Sequence, residues 1–205
     1  MKKILLYGGS FDPPHRGHER LLGEAMRFVQ PDVTLVIPSD VAPHKRRSKT
    51  PFALRMHMAR TFKAQGACVR VSGMERADGK HKNFTLTTLK RVQKRYPGAE
   101  LYFLVGGDML LSFETWHRWR RVLRAATLVV APRELDDRAA LEARAAALKK
   151  EGGRVLLLPI EALPLSSSAV RAAAAAGGDI SGMVSPFVES VIKKHSLYRG
   201  DKNIK

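Results

Sequence analysis

Residues 4–18, ILLYGGSFDPPHRGH, decide the fold of this chain. Residues 4–7 form a short apolar run that stops at Gly8 and Gly9, which is the pattern of a buried parallel strand at its C-terminal edge. Beyond the loop, apolar side chains recur at helical spacing and predict a helix that begins near Gly17; they are Leu21, Leu22, Ala25, Met26 and Val29. The stretch therefore predicts a strand, a glycine-containing loop and a helix.

The start of this predicted helix is a candidate phosphate site. Its unsatisfied backbone N–H groups and its macrodipole favour an anion, and glycine lets the backbone approach a ligand closely. His15 and His18 are three residues apart at the helix start, so both imidazoles can point at one bound group. A metal pair or two solvated surface histidines is the alternative, but no Cys, Asp or Glu cluster completes a metal site nearby in the sequence.

Composition narrows the class of protein. A chain of 205 residues, 44% hydrophobic and 27% charged, is long enough for one globular domain with a substantial core. Its net charge of +17 is compatible with a nucleic-acid partner, a phosphorylated small substrate or a basic proteome, and no nucleic-acid fold signature accompanies it. The single cysteine, Cys68, excludes an intramolecular disulfide, fits a reducing compartment and is expected to pack in a buried strand. No signal peptide or membrane span is expected, which indicates a cytoplasmic protein.

Strand-like and helix-like patterns alternate along the rest of the chain. A second apolar run covers residues 33–37, and further strands are predicted over residues 67–72, 100–105, 127–131 and 154–158. Helical patterns lie between them, including one over residues 51–64. This alternation predicts an α/β protein, a Rossmann-like doubly wound parallel sheet of about six strands that binds its ligand at the carboxyl ends of the strands. We expect one domain over residues 1–198, with a small helical C-terminal part at 165–198 and a flexible tail at 199–205.

Two later segments carry residue types that suit a nucleotide. The sequence GGD at residues 106–108 follows the fourth predicted strand, and the carboxylate of Asp108 either accepts two hydrogen bonds from a ribose diol or caps a helix. The sequence LSSSAVR at residues 165–171 places three hydroxyls at a helix start, where they cap the helix and can bind an anion.

The stretch GGSFDPPHRGH, with His15-Arg16-Gly17-His18, resembles the signature of the HxGH nucleotidyltransferase superfamily. With PHK at residues 43–45, GGD followed by Trp116, and SSSAVR, nearly the whole chain resembles the nicotinate mononucleotide adenylyltransferases. The resemblance implies a Rossmann-like enzyme that joins the AMP moiety of ATP to nicotinate mononucleotide, giving deamido-NAD and pyrophosphate. It also implies Mg²⁺ bound mainly through the ATP phosphates, with no metal ligand from the protein.

The resemblance also implies roles for individual residues. Implied catalytic residues are His15, His18, Lys45 and Arg171. Implied ATP-binding residues are Gly8, Gly9, Ser10, Phe11, His15, His18, Gly106, Asp108, Ser166, Ser167, Ser168 and Arg171. Implied mononucleotide-binding residues are Ser10, Lys45, Arg46, Thr85, Leu86, Trp116 and Arg133. Thr85 is also a candidate helix N-cap, and Phe84 and Thr87 stand where the family has Tyr and Asp.

Other readings of the sequence remain open at this point. An HxGH enzyme acting on nicotinamide mononucleotide or phosphopantetheine keeps the histidines but does not need Trp116 and Arg133. A nucleic-acid-binding protein is suggested by the net charge alone. The expected partners are ATP and nicotinate mononucleotide, without nucleic acid or membrane, and the sequence does not decide between a monomer and a homo-oligomer.

Overall fold

The sheet is parallel throughout. The computed structural model describes residues 1–41, 48–77, 83–132, 138–160 and 163–199. In these ranges the strands are β1 (Lys3–Gly9), β2 (Val33–Pro38), β3 (Val69–Val71), β4 (Glu100–Gly106), β5 (Thr127–Ala131) and β6 (Val155–Leu157). Their order is 3-2-1-4-5-6 and every neighbouring pair is parallel. This is the Rossmann order, which confirms the predicted fold class.

Helices cover both faces of the sheet. They are α1 (Arg16–Val29), α2 (Phe52–Met58), α3 (Thr85–Arg95), α4 (Gly107–Leu111), α5 (Trp119–Ala125), α6 (Arg138–Lys150), α7 (Ser167–Ala175) and α8 (Pro186–Lys194). Short 3₁₀ helices cover Ala59–Gln65 and Phe113–Thr115. The segment predicted as helical, residues 51–64, is helical in the structure, but its α-helix ends at Met58 and a 3₁₀ helix follows. With three residues per turn, the 3₁₀ helix puts the fully buried Ala59 and Phe62 on one side.

The side chains of β1 contribute to hydrophobic clusters on both faces of the sheet. Ile4 and Leu6 belong to a cluster with apolar residues of α3, α4, α5 and α6. Leu5 and Tyr7 point the other way, into a cluster with α1 and the first 3₁₀ helix. Successive side chains of a strand alternate between faces, and here both faces are buried, so the sequence shows a continuous apolar run instead of an alternating one.

The winding of the sheet reverses between β1 and β4. Strand β1 pairs with β2 on one side and with β4 on the other, and Tyr7 lies opposite Leu104. Gly8–Gly9 at the end of β1 and Gly106–Gly107 at the junction of β4 and α4 therefore lie side by side at the carboxyl edge of the sheet. Open α/β sheets bind their ligands in the crevice at such a switch point.

The predicted helical C-terminal part has a core of its own. Val170 of α7 packs with apolar residues of α8 and of the turn before it, and Met58 at the end of α2 joins this cluster. Cys68 was expected inside a strand but lies just before β3, half-buried against the core. The extent of the domain, residues 1–198, stays a prediction. None of the helices in the described ranges is long and apolar enough to cross a membrane.

The turn between α6 and β6 gives a test of the packing. A Cβ atom on Gly153 would lie 2.4 Å from Cδ1 of Leu123, whose side chain is buried. We expect Gly153→Ala to lower the free energy of unfolding by about 1–3 kcal/mol, because the overpacked leucine must move. Gly182→Ala is the matched control, since no described atom lies within 4 Å of its Cβ position. Urea denaturation measures both variants, and equal stabilities would contradict the packing.

Candidate active site

His15 and His18 cap the N-terminus of α1 through reciprocal hydrogen bonds. Nδ1 of His15 accepts from the backbone N–H of His18, and Nδ1 of His18 accepts from the backbone N–H of His15, each at 3.3 Å. The two rings stack with centroids 3.6 Å apart. Because each Nδ1 is an acceptor, the proton of a neutral ring lies on Nε2. Both imidazoles therefore carry an Nε2–H donor on the ring edge opposite the helix backbone.

The glycine between the two histidines lies close against the His15 ring. A Cβ atom on Gly17 would lie 3.0 Å from Nδ1 of His15 and 3.1 Å from its Cε1. A side chain there would push the His15 ring away from the backbone N–H that it accepts. The HxGH spacing is thus explained by the local geometry of the cap.

The loop between β1 and α1 is held by the C-terminal part of the chain. Nη1 of Arg171 donates to the carbonyl of Asp12 at 2.7 Å, and the Ser167 hydroxyl donates to the carbonyl of Pro13 at 2.9 Å. The Tyr198 hydroxyl donates to the carboxylate of Asp12 at 2.7 Å. These contacts bring the serine-rich segment, 154 residues away in sequence from the loop, next to the histidine pair.

The N-termini of α1 and α7 meet at this loop. Leu165, just before α7, would be 3.7 Å from a Cβ atom on Gly17 in the first turn of α1. Of the three serines, Ser166 caps α7 by accepting from a backbone N–H, and Ser168 accepts from Nη2 of Arg171 at 3.1 Å. Two helix N-termini and a guanidinium in one place favour a strongly negative ligand such as a triphosphate.

Thr85, Leu86 and Trp116 come together on the other side of the crevice. The rings of Phe84 and His117 pack 4.5 Å apart, which places the start of α3 beside the turn that carries Trp116. Trp116 is half-buried and packs edge-on against Phe103 of β4, 6.1 Å away. An aromatic ring in this position suits a flat heterocycle.

Two of the capping interpretations of the sequence were wrong. Thr85 is the first residue of α3, whose N-cap is Phe84, so Thr85 is not the cap. Asp108 lies in the first turn of α4, after the N-cap Gly106, and its side chain is exposed at the carboxyl edge of the sheet. The ribose role of Asp108 stays a prediction.

Three predicted site residues lie outside the described ranges. Lys45 and Arg46 fall in residues 42–47, and Arg133 falls in residues 133–137. Of the rest, Gly8, Gly9 and Gly106 end β1 and β4, and Ser10 and Phe11 follow β1 directly. The roles of all these residues in binding and catalysis stay predictions.

Sequence reasoning missed two charged residues that hold the site. The carboxylate of Asp12 accepts hydrogen bonds from both Tyr198 and Ser48, the latter at 2.5 Å. Arg55 of α2 is only 1% exposed, and its Nη1 donates to the carbonyl of Ser10 at 2.8 Å. The sequence held one sign that Arg55 is buried, because Arg55 lies three residues before Met58 and seven before Phe62, on the apolar side of the same helical segment.

The hydroxyl of Tyr198, in the turn after α8, stays protonated. Burial raises the pKa of Tyr198 well above its ordinary value, and the neighbouring carboxylate of Asp12 raises that pKa further. The Tyr198 hydroxyl is therefore a hydrogen-bond donor over the whole range in which proteins are usually studied. It supplies the Asp12 carboxylate with a donor that does not depend on pH below about 10.

Comparison with known proteins defines the class. A family model described as cytidylyltransferase-like matches residues 6–173, which include both histidines and the serine-rich helix start. The chain has the fold of a solved structure of Plasmodium falciparum nicotinic acid mononucleotide adenylyltransferase complexed with APC, with a TM-score of 0.75. At 21% identity, over 97% of this chain and 98% of that one, the likeness concerns the fold.

Sequence relatives narrow this class. The chain is 35% identical over 210 residues to a probable nicotinate-nucleotide adenylyltransferase of Laribacter hongkongensis, covering 97% of this chain and 95% of that protein. It is 33% identical over 204 residues to one of Shouchella clausii, covering 99% and 100% of the two chains. The chain therefore belongs to the cytidylyltransferase-like family and, within it, to the nicotinate-nucleotide adenylyltransferases.

The Tyr198 contact with Asp12 gives a prediction for stability. We expect Tyr198→Phe to lower the free energy of unfolding at pH 7 by about 1–2 kcal/mol, because the half-buried Asp12 loses a donor. The folded pKa of Tyr198 is raised, so its contribution is complete below the unfolded pKa of about 10 and is lost as the pH rises further. The difference between wild type and variant should shrink above pH 10 in urea denaturation. A difference that stays constant at high pH would contradict the contact.

Proposed function

We propose that this protein joins the AMP moiety of ATP to nicotinate mononucleotide, forming deamido-NAD and pyrophosphate in NAD biosynthesis. The observation that carries the proposal is the meeting of the histidine pair with the start of α7 at the β1–β4 switch point. This arrangement offers Nε2–H donors, two helix N-termini and Arg171 to one anion. The names of the full-length relatives support the choice of substrates.

In this reaction the protein must align the two substrates and neutralise the negative charge of their phosphates. The phosphate of the mononucleotide is already a nucleophile, so we infer direct in-line attack on the α-phosphorus of ATP with pyrophosphate as the leaving group. His15 and His18 donate to phosphate oxygens through Nε2, and Arg171 and the serine-rich start of α7 bind the departing phosphates. Lys45 and Arg46 are proposed to neutralise the phosphate of the acceptor.

The other side of the crevice would hold the pyridine ring. We propose that Trp116 stacks on the ring and that the backbone at Thr85 and Leu86 contacts its carboxylate. Arg133 is proposed to neutralise that carboxylate. Asp108 is proposed to accept from the ribose hydroxyls of ATP.

Mg²⁺ is proposed to accompany ATP. Among the described residues, no group of three or more His, Cys, Asp or Glu side chains could hold a metal ion. We propose that the ion is bound mainly through the ATP phosphates, which supply the oxygen ligands that Mg²⁺ prefers. When bound, Mg²⁺ would neutralise charge on the phosphate oxygens. We further propose that the protein is cytoplasmic and that its partners are its two substrates, without nucleic acid or membrane.

A panel of acceptors tests the reaction. Purified protein is incubated with ATP and Mg²⁺ and with nicotinate mononucleotide, nicotinamide mononucleotide or phosphopantetheine, and pyrophosphate release is measured. We expect the fastest release with nicotinate mononucleotide, because a site built for its carboxylate binds the amide less well. Preference for either other acceptor would indicate a different adenylyltransferase. Retention on nucleic acid at physiological salt without pyrophosphate release from any acceptor would contradict the proposal.

A matched pair of substitutions at His18 separates catalysis from capping. An asparagine at position 18 places an acceptor near the position of the His18 Nδ1 atom but has no group at the position of Nε2. A glutamine there reaches the position of Nε2 with its amide N–H. We expect His18→Asn to keep the stability of α1 and to lower kcat by about a hundredfold or more, the effect of losing one preorganised donor. We expect His18→Gln to retain more activity than His18→Asn. Steady-state rates and thermal unfolding measure both, and equal losses in kcat would argue against the role of Nε2.

A further inference from the structure

Arg55 is the centre of a set of buried hydrogen bonds below the crevice. Its Nη1 donates to the carbonyls of Ser10 and Ser39, at 2.8 and 2.6 Å, and its Nε donates to the carbonyl of Thr50 at 3.3 Å. Its Nη2 lies 3.4 Å from Oδ1 of Asp40, which is 6% exposed. One buried guanidinium thus joins the loop after β1 to the segment after β2.

Glu75 is the centre of a second set of hydrogen bonds, next to the start of α3. It is 8% exposed, and its Oε1 accepts from the hydroxyl of Thr88 at 2.5 Å. Its carbonyl accepts from the side-chain amide of Asn83, also at 2.5 Å. Burial raises the pKa of Glu75, while hydrogen bonds from Thr88 and Ser39 lower it. The side chain of Glu75 therefore binds α3, and its carbonyl accepts from the backbone N–H of Asp40 in the segment after β2.

Ser39 and Asp40 join these two centres. Ser39 accepts from Arg55 through its carbonyl, and its side chain lies near enough to Glu75 to lower the pKa of that carboxyl. Asp40 pairs with Arg55, accepts the backbone N–H of Ala77 at Oδ2 at 3.0 Å, and donates its own N–H to the carbonyl of Glu75. We call Ser39, Asp40, Arg55, Glu75 and Thr88 the cross-site network.

The two ends of the cross-site network lie under the two halves of the proposed site. At one end Arg55 holds the carbonyl of Ser10, in the loop that leads to the histidine pair. At the other end Thr88 is 3% exposed and lies one helical turn after Thr85, where the pyridine carboxylate is proposed to bind. Every link between these ends is a hydrogen bond or ion pair in the interior of the protein.

We propose that the cross-site network sets the distance and orientation between the ATP half and the mononucleotide half of the site, with Arg55 and Glu75 as positioning residues. This inference rests on the proposed function. A buried ion pair is weak evidence for stability, since apolar residues of the same volume often stabilise a fold equally well. Directional hydrogen bonds hold the groups at their ends in one geometry, which in-line transfer between two bound substrates requires.

Substitutions at two adjacent threonines test the proposal. Thr88→Val removes the hydroxyl that binds Glu75 and keeps the shape of the side chain, and Thr88→Ser restores the hydroxyl. Thr87→Val makes the same chemical change at an exposed position of the same helix. We expect Thr88→Val to raise the KM for nicotinate mononucleotide about tenfold, as for a buried group left without its partner. The KM for ATP, and both constants of Thr87→Val, should stay within about twofold of wild type.

The same assays distinguish failure of this inference from failure of the proposed function. If wild-type protein releases no pyrophosphate from ATP and nicotinate mononucleotide, the proposed function is wrong. If wild type is active and Thr88→Val raises both KM values equally, or neither, the positioning role is wrong. Should Thr88→Val fail to fold by thermal unfolding, Thr88→Ala replaces it, since it also removes the hydroxyl that donates to Glu75; the same shift in KM is expected.

A double variant tests whether the network acts as one unit. Arg55→Lys keeps the positive charge but cannot hold three carbonyls and a carboxylate with one planar group. Arg55 and Thr88 lie at opposite ends of the cross-site network, so independent roles predict that their losses in kcat/KM multiply. We expect the loss in kcat/KM of the double variant Arg55→Lys/Thr88→Val to be smaller than the product of the two single losses. The reason is that either change alone already breaks the connection between the two halves of the site. A loss equal to the product would overturn the inference.

Discussion

The reciprocal hydrogen bonds between His15 and His18 are the interaction on which the rest of the site depends. A helix N-terminus leaves backbone N–H groups without partners inside the helix, and here imidazole nitrogens satisfy two backbone donors at that end. The same bonds decide which nitrogen of each ring carries the proton. Local helix capping and the chemistry proposed for the phosphates are therefore two consequences of one geometry, and Gly17 is the residue that makes it sterically possible.

The helix cap needs a fixed loop in front of it, and that loop depends on distant parts of the chain. Backbone carbonyls turned into the protein must find donors, and those of Asp12 and Pro13 find them on α7. Tyr198, in the closing turn, binds the side chain of Asp12. The C-terminal helices are thus more than an addition to the sheet, because they complete the hydrogen bonding of the loop that precedes the histidine pair.

Local sequence patterns predicted helices and strands well where the burial of apolar side chains alone decides the backbone conformation. Residues 127–131 were predicted as a strand and form β5, because a buried threonine followed by four buried apolar residues between helical segments has few other places in an α/β fold. Where tertiary packing competes with local preference, the structure departs from the local pattern. The helical pattern over residues 51–64 continues through Met58, but the structure changes to a 3₁₀ helix so that Ala59 and Phe62 enter a different core cluster from Met58. Thr85 has the chemistry of a helix cap, yet the helix begins one residue earlier than that role requires.

The sequence by itself determined the class of fold and the strand–loop–helix passage around HxGH, because these follow from periodicity, from glycine breaks and from spacing over short distances. The candidate residues at both ends of the site came from the resemblance to the nicotinate mononucleotide adenylyltransferases, and their roles stay predictions. Tertiary structure alone decided the strand order and the burial of Arg55 and Glu75. It also decided which of three serines caps α7 and which one binds the loop. The physical reason is that a hydrogen bond between residues far apart in sequence leaves no local pattern. Its partners become neighbours only when the sheet has been wound and the C-terminal helices have packed against the loop.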